Sequence, residues 1–63
     1  MSVFWKIRNV KTQKYLTSNG FWDETGYLWR SHNDVQDFID IFHPADSELV
    51  QFKVTEISAK KIE

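Results

Sequence analysis

Residues 31–44 read Ser-His-Asn-Asp-Val-Gln-Asp-Phe-Ile-Asp-Ile-Phe-His-Pro, and this stretch decides the fold class. Val35, Phe38, Ile39 and Phe42 stand at i, i+3, i+4 and i+7, the stripe that one face of an α-helix presents. Ser31 followed three residues later by Asp34 resembles a capping box with Asp replacing the usual Glu, and Asn33 is a second candidate cap. Pro44 cannot continue a helix, because it lacks an N–H and its ring clashes with the preceding turn. The pattern predicts a helix over 33–43, with His43 in its last turn.

Upstream the period changes from helical to two. Val3, Trp5 and Ile7 alternate with Lys6 and Arg8, as in a half-buried strand, while Phe4 puts an aromatic on the opposite face. Residues 9–14 read as a turn, with Asn9 able to bond its own backbone, and Tyr15-Leu16-Thr17 as a short return, so 3–17 is expected to form a hairpin. Asp23-Glu24-Thr25-Gly26 is a tight-turn sequence predicted to link Phe21-Trp22 to a third strand at Tyr27–Arg30. Downstream, Val50, Phe52 and Val54 alternate with Gln51 and Lys53, which predicts a last strand over 48–57. Phe52 is expected to join Phe38 in a helix–sheet core. The order is β-β-β-α-β: an α+β fold, a small antiparallel sheet with one helix packed across one face. Residues 1–57 form a single domain in this reading, and 58–63 a frayed C-terminal tail.

A chain of 63 residues has room for one domain and buries little of its surface. Folds of this size usually need disulfides, a metal, a partner chain or dense apolar packing. Cysteine is absent, which excludes disulfides and thiolate metal sites and fits a reducing, cytoplasmic setting. Aromatic residues supply 16% of the chain, and each large ring buries roughly 150–250 Å². Packing of rings within one chain, or across a homodimer, is what remains. The apolar patch at Val3–Trp5 is cut short by Lys6 and Arg8. No stretch approaches the roughly 20 apolar residues of a membrane span, so neither a signal peptide nor membrane association is expected.

Net charge is −1, but it is unevenly spread. Residues 1–22 carry Lys6, Arg8, Lys11 and Lys14 and no acid. Residues 23–48 carry Asp23, Glu24, Asp34, Asp37, Asp40, Asp46 and Glu48 against Arg30 alone. Such asymmetry bears on association rather than on fold.

The run Lys-Ile-Arg-Asn-Val-Lys-Thr-Gln-Lys-Tyr-Leu at 6–16 resembles the opening of short, uncharacterised accessory proteins of tailed bacteriophages. Gly26-Tyr27-Leu28-Trp29 and Glu48-Leu49-Val50-Gln51-Phe52 are similar to their later Gly-x-x-Trp and acidic, β-prone parts. Gln13 stands where that group usually has Gly. The resemblance implies a phage accessory protein acting in the host cytoplasm, and it brings no activity with it. The same eleven residues also resemble a hairpin of β-trefoil lectins and actin-bundling proteins. Those folds use about three such units, however, and this chain turns to a helix after one.

Catalytic chemistry finds little to work with. His32 and His43 stand at opposite ends of the predicted helix, some 16 Å apart at about 1.5 Å per residue, so they cannot share a site. Asp34, Asp37, Asp40 and His43 recur every three residues, a spacing that spirals around the helix and aligns at most two ligands. No phosphate-binding Gly-rich loop is present. The chain is read as a non-enzyme with no metal and no cofactor.

Two binding surfaces are left. On a wheel of about 100° per residue, Asp34, Asp37 and Asp40 fall opposite the apolar stripe, and Ile41 falls among them. This acidic face with an apolar anchor fits docking on a basic host protein, including one that itself binds nucleic acid, because spaced carboxylates imitate phosphates. The function expected first is therefore binding, and inhibition, of a host macromolecule through Asp34, Asp37, Asp40 and Ile41. The alternative uses Phe4, Lys6, Arg8 and Lys14 on the open sheet face to bind nucleic acid, with rings stacking on bases and cations on phosphates.

Overall fold

The alternating pattern at the N-terminus makes the strand on which the rest of the fold is assembled. The computed structural model describes residues 2–54, which run β1 (Ser2–Asn9), β2 (Tyr15–Leu16), β3 (Trp22–Asp23), α1 (His32–Phe42) and β4 (Ser47–Val54). The four strands form one antiparallel sheet in the order β3-β2-β1-β4. This is the expected α+β architecture. The parts of the predicted last strand and tail at 55–63 lie outside the described residues.

Asn9 starts the first turn as its side chain predicts. Its Oδ1 accepts the Lys11 and Thr12 amides at 2.9 Å, and the chain returns through Gln13 at φ 64°. That is a left-handed position, and Gln holds it at a steric cost that Gly would avoid. β2 then pairs with β1 only at Arg8↔Tyr15, whereas β4 pairs along the full length, from Ser2↔Val54 to Asn9↔Ser47.

The third strand differs from the expectation. The partner of β2 is Trp22–Asp23, and Tyr27–Arg30 does not return along it. The Asp23 turn does form, its carboxylate accepting the Thr25 and Gly26 amides. It folds the chain back over β2 rather than alongside β3. Gly26 (φ 70°) sits so close that a Cβ there would stand 2.3 Å from Tyr15 Cβ. From this point Tyr27 N–H donates to Leu16 O, and Trp29 exchanges two hydrogen bonds with Trp5. The stretch thus fills the edge of β1 that the two-residue β2 leaves open, as a single bridge at Trp29.

α1 starts one residue earlier than predicted. Ser31 is the cap, its hydroxyl accepting the Asp34 amide at 3.4 Å, and Asn33 lies inside the first turn. His43 lies past the last turn as a left-handed cap (φ 50°), donating its N–H to Ile39 O, and Pro44 follows. The helix is too short to cross a membrane, and no described helix is long and apolar enough to do so.

Among the described residues, Ile7, Leu16 and Val35 are fully buried, ringed by Trp5, Trp22, Trp29, Phe38 and Ile39. Phe52 is not among them, which corrects the expectation that it packs under the helix. Opposed residues of paired strands share a face, and the register sets Phe52 against Phe4 and Val50 against Lys6. Because Trp5 and Ile7 face the helix, Phe4 and Phe52 point the other way. β4 therefore carries its more apolar side away from the helix.

Candidate interaction surfaces

Two surfaces hold the side chains singled out in the sequence, one on the outside of α1 and one on the sheet face away from it. On α1, the i, i+3, i+4, i+7 stripe rotates Val35 fully inward and leaves Asp34, Asp37 and Asp40 exposed. Ile41 is 82% exposed. The Asp40 carboxylate accepts a hydrogen bond from Gln36 Nε2 at 3.0 Å. Among the described residues the ion pairs are Arg8–Glu48 and Lys11–Asp46, and neither engages a helix carboxylate.

The spacing puts Phe42 in the apolar stripe, yet it is 45% exposed. It stands at the helix end, stacked on Phe38 with centroids 5.4 Å apart. Gly20 passes so close that a Cβ there would lie 3.0 Å from the Phe42 ring. Phe21, the next residue, is 70% exposed. Ile41 and Phe42 are thus solvent-facing apolar groups at the C-terminal end of α1, and the exposed Phe21 follows the Gly20 that approaches Phe42. The helical periodicity points to Ile41 and the acids but not to the two exposed rings. No local signal marks them.

The other surface is the open sheet face. Phe4 stacks on Phe52 with centroids 5.0 Å apart and planes 9° from parallel, and Tyr15 stands 6.4 Å from Phe52. Lys6 Nζ lies 4.9 Å from the Tyr15 centroid and donates to Thr25 O at 2.7 Å. Arg8 Nε donates to Glu48 Oε2 at 2.8 Å. That hydrogen bond first, and one with Tyr15 second, raise the Arg8 pKa above its ordinary value. Phe4, Lys6 and Arg8 therefore come together in one row. Lys14 does not join it: its carbonyl accepts from Asn9 N–H, placing it opposite a residue of the other face. Tyr15 and Phe52 complete the row, and each is legible only from a cross-strand register, Arg8 with Tyr15 and Phe4 with Phe52.

The histidines sit apart. His32 meets the edge of Trp5 at 5.6 Å, and His43 caps the far end of α1. Among the described residues, no three His, Asp or Glu side chains converge, and no cavity opens between the elements. Comparison of the chain with protein-family models, curated proteins and solved structures gives no match in any of the three.

Proposed function

We propose that the chain is a non-enzymatic interaction protein that docks through the outer side of α1 on a basic protein surface and thereby modulates its partner. The observation that carries this reading is Ile41, 82% exposed on a well-capped helix and flanked by Asp34, Asp37 and Asp40. An apolar side chain held in water at a charged surface gains most by being covered, and its carboxylate rim steers a cationic partner toward it. Phe42 extends the anchor. In the setting that the phage resemblance implies, the partner is a host protein, and a host protein that binds nucleic acid has the complementary charge. The test is an affinity pull-down from host lysate with wild type and with Ile41→Arg. A partner held by both chains equally would refute the helix as the docking surface.

A second reading rests on the Phe4–Phe52–Tyr15 row with Lys6 and Arg8, the kind of face that holds single-stranded nucleic acid. It is the weaker one, because Arg8 is engaged by Glu48 and Lys6 by Thr25. A salt titration against single-stranded DNA and RNA separates the two. Affinity on the sheet face must fall steeply as salt rises.

A further inference from the structure

The sheet has two edges of unequal length. β3 ends one side with two residues, and β4 ends the other with eight in unbroken register against β1. Trp5 exchanges its peptide hydrogen bonds with Trp29, and Asn9 donates to Lys14. Odd-numbered β1 residues thus turn their peptide groups toward the β2 side, and even-numbered ones bond Glu48, Val50 and Phe52. By the same alternation Leu49, Gln51 and Lys53 turn their N–H and C=O groups outward, with no partner among the described residues. No proline or bulge blunts this edge.

We propose that this edge pairs with the same edge of a second copy, antiparallel about a two-fold axis perpendicular to the sheet, so that one sheet runs through both chains. Such an axis keeps like faces together, so odd residues oppose odd and even oppose even. Two registers pair nearly the whole strand. Centred on Val50, Glu48 would fall against the Phe52 ring of the second copy. Centred on Gln51, Val50 falls against that ring, Leu49 against the Lys53 stem, and Gln51 against itself. The second register is the assigned one. It extends the Phe4–Phe52 stack onto an apolar neighbour and covers Leu49, which is 38% exposed. It also lets each Gln51 amide both donate and accept across the axis, and it opposes no like charges.

Two further properties favour self-association. A net charge of −1 sets little long-range repulsion between copies. Among the described residues the core has three fully buried side chains, few for a lone domain, and oligomerisation commonly makes up such a shortfall. The inference is independent of the helix reading, since Asp34, Asp37, Asp40 and Ile41 lie on another element.

Because the chain has no cysteine, a single one reports the pairing directly. In the assigned register the two Gln51 Cα atoms stand about 5.5 Å apart, within the roughly 4.4–6.8 Å span of a disulfide. Gln51→Cys should cross-link to a dimer under mild oxidation much faster than Asp37→Cys on the helix. Sedimentation equilibrium should show a monomer–dimer equilibrium for the unmodified chain. Gln51→Lys, which sets like charges face to face at an exposed position, should weaken it at least about tenfold with an unchanged circular dichroism spectrum. A wild-type chain that stays monomeric up to millimolar loading overturns the proposal. So does a dimer indifferent to Gln51→Lys, or cross-linking no faster at position 51 than at position 37.

Discussion

Phe4 and Phe52 stack at 5.0 Å on the side of the sheet that the helix does not cover. The two strands of the β1–β4 ribbon are thus clasped by a ring pair separate from the Ile7–Leu16–Val35 core. Phe38, in contrast, packs directly on that core and on Trp29, 5.1 Å away. Phe38→Ala should therefore cost about 3 kcal/mol, as expected for removing a ring from a core. Phe52→Ala should cost about 1–2 kcal/mol, the scale of a partly exposed cross-strand pair. Urea unfolding of the two variants checks the order, and equal losses would place Phe52 in the helix-side core after all.

Two left-handed positions behave oppositely. At Gly26 a side chain meets Tyr15 Cβ and the β2 backbone as well as an unfavourable φ, so Gly26→Ala should destabilise by at least about 2 kcal/mol. At Gln13 the turn is exposed and only the φ is unfavourable. Gln13→Gly should stabilise by up to about 1 kcal/mol, less whatever the Gln13–Val10 hydrogen bond contributes. Thermal melts followed by circular dichroism decide both.

On the helix, Ile41→Arg should leave the melting temperature nearly unchanged, because 82% of the residue is already in water. In surface-plasmon measurements it should weaken partner binding at least about tenfold, the loss expected of a central apolar anchor. Asp37→Lys with Asp40→Lys should instead slow association and flatten its dependence on ionic strength. Lys6→Glu with Arg8→Glu should do little to either. If that basic pair abolishes binding while the helix variants bind normally, the open sheet face is the functional one.

Glu48→Gln tests the open face from the other direction. It removes the carboxylate that engages Arg8 and leaves a freer guanidinium next to Tyr15, on the face that also carries Phe4 and Phe52. Both groups are substantially solvent-exposed, so the fold should tolerate the change. Affinity for single-stranded oligonucleotides, read by fluorescence anisotropy, should stay weak. A marked rise would show that the face binds nucleic acid once its charge is released.

The sequence alone determined what depends on near neighbours along the chain. The helix with a cap at Ser31 or Asn33, the Asn9 turn, the Asp23 turn with Gly26, and the exposure of the acids and Ile41 all follow from periodicity and short-range hydrogen bonding. Those forces act within about one turn of helix or one bend of chain. What the tertiary structure decided depends on pairings across the chain. The register of β1 with β4 sent Phe52 to the face away from the helix, joined it to Tyr15 and tied Arg8 to Glu48. The shortness of β2 left an edge that Trp29 filled, so a predicted strand became a bridge. Period two fixes which residues share a side of a strand, but not which side meets the helix. Only the opposing strand and the covering helix settle that, because burial is a property of the assembled layers and not of the pattern.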